Sequence, residues 1–280
     1  MCMDLQEQWQ AEGYLVIPEL IDWARALRLR AICEPILDQW RVANPDVAAT
    51  GKPGGDPDAT VMRHLNHPGY FANHMDWFCE LMDAVADPRV LDIARTIFGE
   101  EPLFRCTSLF FNPLLTSKDG DWHRDSQFTT PDDDAEKAFL AAHGRDGFGM
   151  QLQIALAPSA DIEFIPRSHL RWDTPEEYAI RKGDGWKNNR SNAMPGALRL
   201  AVEPGDAILF NPSGIHRGRY HADKLRRTLM LTYTRTSEPY QDYFSNQPWF
   251  LAPDYLAPLP PAARQFFDAF VHTYQSWWRR

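Results

Sequence analysis

A change of hydrophobic period a third of the way along the chain constrains its fold more than any other feature. In 19–40 and 71–86 apolar residues recur at helical spacing. Asp87 then offers an N-cap, Pro88 stands at the first helical position and Gly99 closes the segment. After this point the period drops to two, and 104–111, 148–156, 161–165, 198–202, 207–210 and 227–233 read as strands. Two short helices, 130–144 and 174–183, are inserted between strands, and both open on Thr-Pro. Short strands divided by turns, with helices collected before them, imply a mainly β fold with α. The expected core is a jelly roll of cupin type, a double-stranded β-helix flanked by N-terminal and inserted helices.

Composition narrows the function classes. A chain of 280 residues can bury one substantial core, and no block of different composition divides it, so 1–280 reads as one domain. The net charge of −9, without a long basic run, argues against nucleic acid as a general partner. The polar first ten residues and the absence of any run of about 18 apolar residues give no sign of export or membrane spanning, which makes a cytoplasmic location the expectation. Cys2, Cys33, Cys79 and Cys106 lie far apart, which fits reduced thiols better than a disulfide framework.

The residues with chemistry lie in the β-patterned part. His123 and Asp125 stand two apart in Asp-Trp-His-Arg-Asp-Ser, and His216 follows after Pro204-Gly205-Asp206 and a short apolar run. The Pro-Gly turn is sound, since Pro presets the first corner and Gly supplies a positive φ at the second. Two imidazoles and a carboxylate on one face of an octahedral ion leave three positions open, the arrangement of non-haem Fe(II) oxygenases. Eleven residues after His216 comes Arg227. Strand alternation puts Arg227 with Leu229, Leu231 and Tyr233, and Arg226 with Thr228, Met230 and Thr232. A guanidinium on the apolar face needs an anion, so Arg227 is expected to hold a carboxylate bidentately, either a ligand's or the protein's own. Arg226 is expected to be solvated. Gln151 and Gln153 share a strand face and need partners if buried, and a bound oxo-acid or substrate would supply them.

Taken in order, H-x-D, Ile165-Pro166-Arg167-Ser168-His169, the Pro-Gly-Asp turn, His216 and an arginine eleven residues on resemble the phytanoyl-CoA dioxygenase family of Fe(II)- and 2-oxoglutarate-dependent oxygenases. The N-terminal Gly13-Tyr14-Leu15-Val16-Ile17 and the helix after Asp87 are also of the type seen there. The resemblance implies that His123, Asp125 and His216 bind Fe(II), that Arg227 grips the distal carboxylate of 2-oxoglutarate, and that O₂ is the other co-substrate. It further implies hydroxylation of a C–H bond of a small-molecule metabolite, with release of succinate and CO₂. Retention of Asp125 favours hydroxylation over halogenation, in which related enzymes carry a small residue at this place. Arg167 departs from the family pattern, which has Gly before Ser-His.

Other readings stay open at this stage: a jelly-roll protein with a silent metal site, a related oxygenase performing desaturation, epimerisation or ring chemistry, or a hydrolytic zinc enzyme. His64 and His67 are candidate pocket residues, and His169 reads as structural. The glycine-rich stretch after Asn44 and the basic stretch 186–190 are expected to close over the substrate.

Overall fold

The computed structural model describes residues 4–42 and 56–279. An N-terminal helix α1 (Leu5–Glu12) leads through Gly13, at φ 79, into β1 (Tyr14–Ile17). Helix α2 (Trp23–Val42) begins later than its apolar pattern, because Asp22 Oδ1 accepts the Arg25 N–H at 2.7 Å and fixes the first turn there. Then follow β2 (Val61–Arg63), α3 (Met75–Val85) and α4 (Pro88–Phe98), the last capped by the Asp87 side chain and ended by Gly99 at φ 69. The remainder runs β3 (Pro102–Phe111), β4 (Lys118–Asp119), α5 (Asp133–His143), β5 (Gly149–Ala155), β6 (Ser159–Phe164), α6 (Pro175–Arg181), β7 (Leu198–Val202), β8 (Ala207–Phe210), β9 (His216–Tyr220), β10 (Arg227–Arg235) and α7 (Pro261–Trp278). Among the described residues no helix is long and apolar enough to cross a membrane. Cys33, Cys79 and Cys106 are free thiols.

The strands form a six-stranded sheet, β1-β8-β5-β10-β3-β2, and a four-stranded sheet, β4-β9-β6-β7. All described pairings are antiparallel, as a jelly roll requires. Alternation gives the large sheet two unlike faces. Leu152, Ile154, Leu209, Leu229, Leu231 and Tyr233 pack with α2, α3, α4 and α7 into the main apolar core. On the other face Ile208 and Phe210 meet Ile162, Phe164, Leu200 and Val202 of the small sheet. The rest of that inner face is polar: Gln151 lies opposite Thr232, and Gln153 opposite Met230 and Ile208. The site lies on this half-polar face.

Two turns explain local sequence choices. Gly205 has φ 101, and a Cβ there would come within 2.4 Å of the Ile21 carbonyl oxygen, so the expected turn needs its glycine. Arg167 sits at φ 66, a left-handed backbone that glycine adopts at lower cost. Here Arg167 is tied back to α1 by an ion pair with Glu12 at 2.6 Å.

Candidate metal and co-substrate site

His123 and His216 are joined by backbone before any metal is considered. They form a reciprocal antiparallel bridge, with each N–H donating to the other's carbonyl at 3.0 and 2.9 Å. The bridge sets the imidazole centroids 4.3 Å apart. Each Nδ1 faces a carbonyl oxygen, that of Asp121 at 2.7 Å for His123 and that of Gly214 at 2.9 Å for His216. A carbonyl only accepts, so both Nδ1 atoms carry the proton and both Nε2 lone pairs are free to bind a metal. Asp125 Oδ1 stands 3.5 Å from His123 Nε2 and 3.7 Å from His216 Nε2. One ligand atom from each residue lies within 4.8 Å of the others. Gln151 Nε2 donates to the other oxygen, Oδ2, and turns the carboxylate toward the imidazoles.

The electrostatics suit a cation. Burial pulls the His216 pKa down to about 4, with His123 adding to the effect, so His216 is a neutral ligand at ordinary pH. Burial opposes ionisation of Asp125, but its contacts with His123 and His216, and more distantly Arg105, outweigh it and hold the carboxyl below its usual range. Burial likewise opposes a charged His123 and is outweighed by Asp125, which raises its pKa, so the proton that His123 Nε2 shares with Asp125 is the one a metal ion would displace. The donor set of two nitrogens and one oxygen fits Fe(II) with three positions open.

The site opens on a cavity of about 360 Å³ lined by His123, Asp125, Gln151, Gln153, His216 and Arg226 among others. Arg226 overturns one expectation from the sequence. The alternation is as read, but the apolar face of β10 turns toward the helices and not toward the metal. Arg227 therefore lies behind the sheet, where its Nε and Nη2 donate to the two carboxylate oxygens of Glu34 on α2 at 3.0 and 2.8 Å and its Nη1 donates to Asn112 at 2.9 Å. It does not line the cavity, and the anion it needs is the protein's own. Arg226 is 2% exposed and faces the cavity. Its Nη1 donates to the Arg219 carbonyl at 2.9 Å, its Nε has no hydrogen-bond partner among the described residues, and the carboxylate it faces, that of Asp161, is 4.0 Å away. The guanidinium lies over the rings of Tyr220 and Phe110. Gly218 makes room for it, since a Cβ there would sit 2.6 Å from the Tyr220 hydroxyl and 3.1 Å from Arg226 Nη1.

Gln151 and Gln153 both line the cavity, as a shared strand face requires. Gln151 is committed to Asp125, whereas the Gln153 side-chain oxygen is buried without a partner among the described residues. Arg124, between the two ligands of H-x-D, was missed. Fully buried, it donates to the carbonyls of Ser168 and Ser213 at 2.7 and 2.5 Å and pairs with Asp173 at 2.8 Å, which pins the ligand loop from behind. Its position alone gave no signal, because a charged residue in a loop ordinarily faces water. His169 is structural, buried against the Gln10 carbonyl at 3.2 Å. His64 Nε2 faces the Phe244 carbonyl at 3.1 Å, and His67 caps a short helical turn; neither lines the cavity. Residues 186–190 do not line it either. The Asn189 carbonyl accepts the Trp122 N–H at 2.7 Å and the Arg190 carbonyl accepts from Arg217 at 2.9 Å, so this stretch buttresses the metal loop instead of covering the substrate. The stretch 44–55 lies outside the described residues.

Residues 9–228 match the family described as phytanoyl-CoA dioxygenase (PhyH). A curated relative, the ectoine dioxygenase of Stutzerimonas stutzeri (strain A1501), is 34% identical over 123 residues, 44% of this chain and 37% of that protein. The alignment thus spans little more than a third of that relative's length. Among solved structures, EctD from S. alaskensis with 2-oxoglutarate and 5-hydroxyectoine superposes with a TM-score of 0.58 at 20% identity, over 92% of this chain and 84% of that one. AviO1 from Streptomyces viridochromogenes Tue57 gives 0.58 at 16% identity, over 85% and 96% of the two chains. The non-heme alpha ketoglutarate dependent epimerase SnoN from nogalamycin biosynthesis gives 0.55 at 16%, over 85% and 82%. These likenesses establish the fold, and with a family match that spans most of its length, the chain belongs to the phytanoyl-CoA dioxygenase family.

Proposed function

We propose that the protein is an Fe(II)- and 2-oxoglutarate-dependent dioxygenase that hydroxylates a C–H bond of a small-molecule metabolite, and that Arg226, not Arg227, anchors the co-substrate. The observation that carries this reading is the convergence on one cavity of three metal-ligand atoms and a buried arginine lacking a close anion. His123, Asp125 and His216 would hold Fe(II), and the bound metal would supply the 2-oxoglutarate- and O₂-dependent oxidation of a C–H bond with release of succinate and CO₂.

The chain's own residues supply the rest. The Asp121 and Gly214 carbonyls hold the imidazoles in the ligating tautomer, and Gln151 fixes the carboxylate. Arg226 takes the distal carboxylate of 2-oxoglutarate in a fork of parallel hydrogen bonds, replacing the poor contact with Asp161. Buried aromatic walls at Phe148 and Phe210 exclude water on that side of the cavity. A silent metal-binding protein would have no use for an arginine buried beside the site with an unused donor.

The test is succinate formation from 2-oxoglutarate with Fe(II) and O₂, beside metal titration. Wild type should bind one Fe(II) and turn over 2-oxoglutarate, and His216→Ala should lose both. Undiminished metal binding and turnover in His216→Ala would sink the assignment.

A further inference from the structure

A second group of charges lines the same cavity and is left over by the reaction just described. Arg63 on β2 and Arg105 on β3 place their guanidinium carbons 5.1 and 4.8 Å from the centroid of one ring, Phe244. Arg63 also lies over Phe110, and Arg105 over Tyr240. Asp242 is the carboxylate beside them, and it is fully engaged. One oxygen accepts from Arg105 Nη2, and the other accepts the N–H groups of Phe244 and Ser245 at 3.0 and 3.2 Å. Arg105 Nε is buried with no hydrogen-bond partner among the described residues. Arg63 donates to the Ser108 hydroxyl at 3.0 Å and has no ion pair among the described residues. Arg63, Arg105, Phe110, Tyr240, Asp242 and Phe244 all line the cavity.

Two guanidiniums against one carboxylate leave one positive charge uncompensated in this group, beside the rings of Phe110, Tyr240 and Phe244. Arg105 is largely buried and Arg63 half-buried, and a cation partly withdrawn from water is costly without an anion, a cost of which ring faces return only a fraction. The arrangement therefore fits a ligand that brings one negative charge and an apolar or aromatic body. We propose that the substrate carries a single anionic group, such as a carboxylate or sulfonate, which docks between Arg63 and Arg105 while its apolar body lies along Phe110 and Phe244. This inference rests on the oxygenase reading above and adds the chemical class of the substrate. Asp242 acts as a positioning residue that holds Arg105.

The test uses the full chain loaded with Fe(II) and saturating 2-oxoglutarate without oxygen, so that the metal and Arg226 are occupied. Benzoate and benzenesulfonate are titrated calorimetrically against their neutral counterparts benzamide and benzyl alcohol. The anions should bind about tenfold or more tightly than the neutral probes, and Arg63→Gln and Arg105→Gln should each remove most of that preference. Arg63→Lys, which keeps the charge, should restore part of it and guards against a mere folding defect. Equal binding of charged and neutral probes, absence of anion binding, or anion binding unchanged in both glutamine variants would each overturn the proposal. So would a loss of 2-oxoglutarate affinity in Arg63→Gln that left benzoate binding intact. Loading is followed by the visible charge-transfer absorption of the Fe(II)–2-oxoglutarate complex. If that absorption never forms in wild type the oxygenase reading itself fails, whereas its presence without any preference for anions sinks only the substrate inference.

Discussion

Two adjacent arginines illustrate how much one residue of a strand decides. Arg226→Ala should raise the 2-oxoglutarate concentration needed for half-maximal turnover by about two orders of magnitude, since losing one partner of a buried charged contact costs about 2–5 kcal/mol. Arg227→Ala should leave that requirement nearly unchanged and lower stability instead. Glu34 is about a third exposed and can turn to water, so a loss of about 2 kcal/mol is expected, less than for a fully buried pair. Steady-state kinetics and chemical denaturation of the two variants separate the effects, and a kinetic defect confined to Arg227→Ala would reverse the assignment. His169 provides a pH-dependent counterpart. Burial lowers its pKa from an ordinary 6.5 to about 4, so the folded chain refuses a proton that the unfolded chain accepts. Stability from this group is complete above about pH 6.5, falls as the pH drops toward 4 and then levels off, a loss on the order of 3 kcal/mol. The difference in unfolding free energy between wild type and His169→Gln, measured across that range, should follow this curve. A flat difference would show that the ring is not buried neutral.

At the scale of elements, α7 carries more of the fold than its place at the end of the chain suggests. Phe267, Phe270 and Tyr274 are fully buried, with Phe270 5.0 Å from Phe104 on β3 and 4.9 Å from Phe250. Phe270→Ala should cost about 3–5 kcal/mol by denaturant unfolding, while metal affinity of the folded fraction stays as it was. That helix went unread in the sequence, whereas β7 and β8 coincide with the expected strands residue for residue. The difference lies in what holds each element. Strands such as β5 and β10 announce themselves by alternating apolar residues, and α4 by its cap, its proline and its glycine. Strand β9, His-Arg-Gly-Arg-Tyr, has no such pattern, because ion pairs secure it: Arg217 with Glu163, and Arg219 with both Asp119 and Glu163. Hydrophobic periodicity cannot register that kind of support. The candidate ligands were legible because metal chemistry dictates residue type and spacing. The orientation of Arg226 was not, because an apolar strand face can look toward a helical layer as readily as toward a site.

Across the whole molecule, the metal would join parts of the chain that are distant in sequence: the loop after β4, which carries His123 and Asp125, and the start of β9, which carries His216. A ligand that binds only the folded chain stabilises it by mass action, by about 2.7 kcal/mol at a hundredfold excess over its dissociation constant. Fe(II) with 2-oxoglutarate, held without oxygen, should therefore raise the midpoint of thermal unfolding, and the rise should vanish in His216→Ala. A rise of equal size in that variant would place the stabilising ion elsewhere. The backbone bridge between the two histidines carries a harsher consequence. A strand slipped by one residue exchanges its two faces. A slip of β9 against the His123 loop would present Ile215 or Arg217 where His216 belongs. The proposed iron centre would lose a ligand outright in such a slip, because a misthreaded molecule brings either a greasy side chain or a repelling cation to the metal's place. Iron uptake would then report on correct threading of β9, and so serve as a proofreading step for the fold.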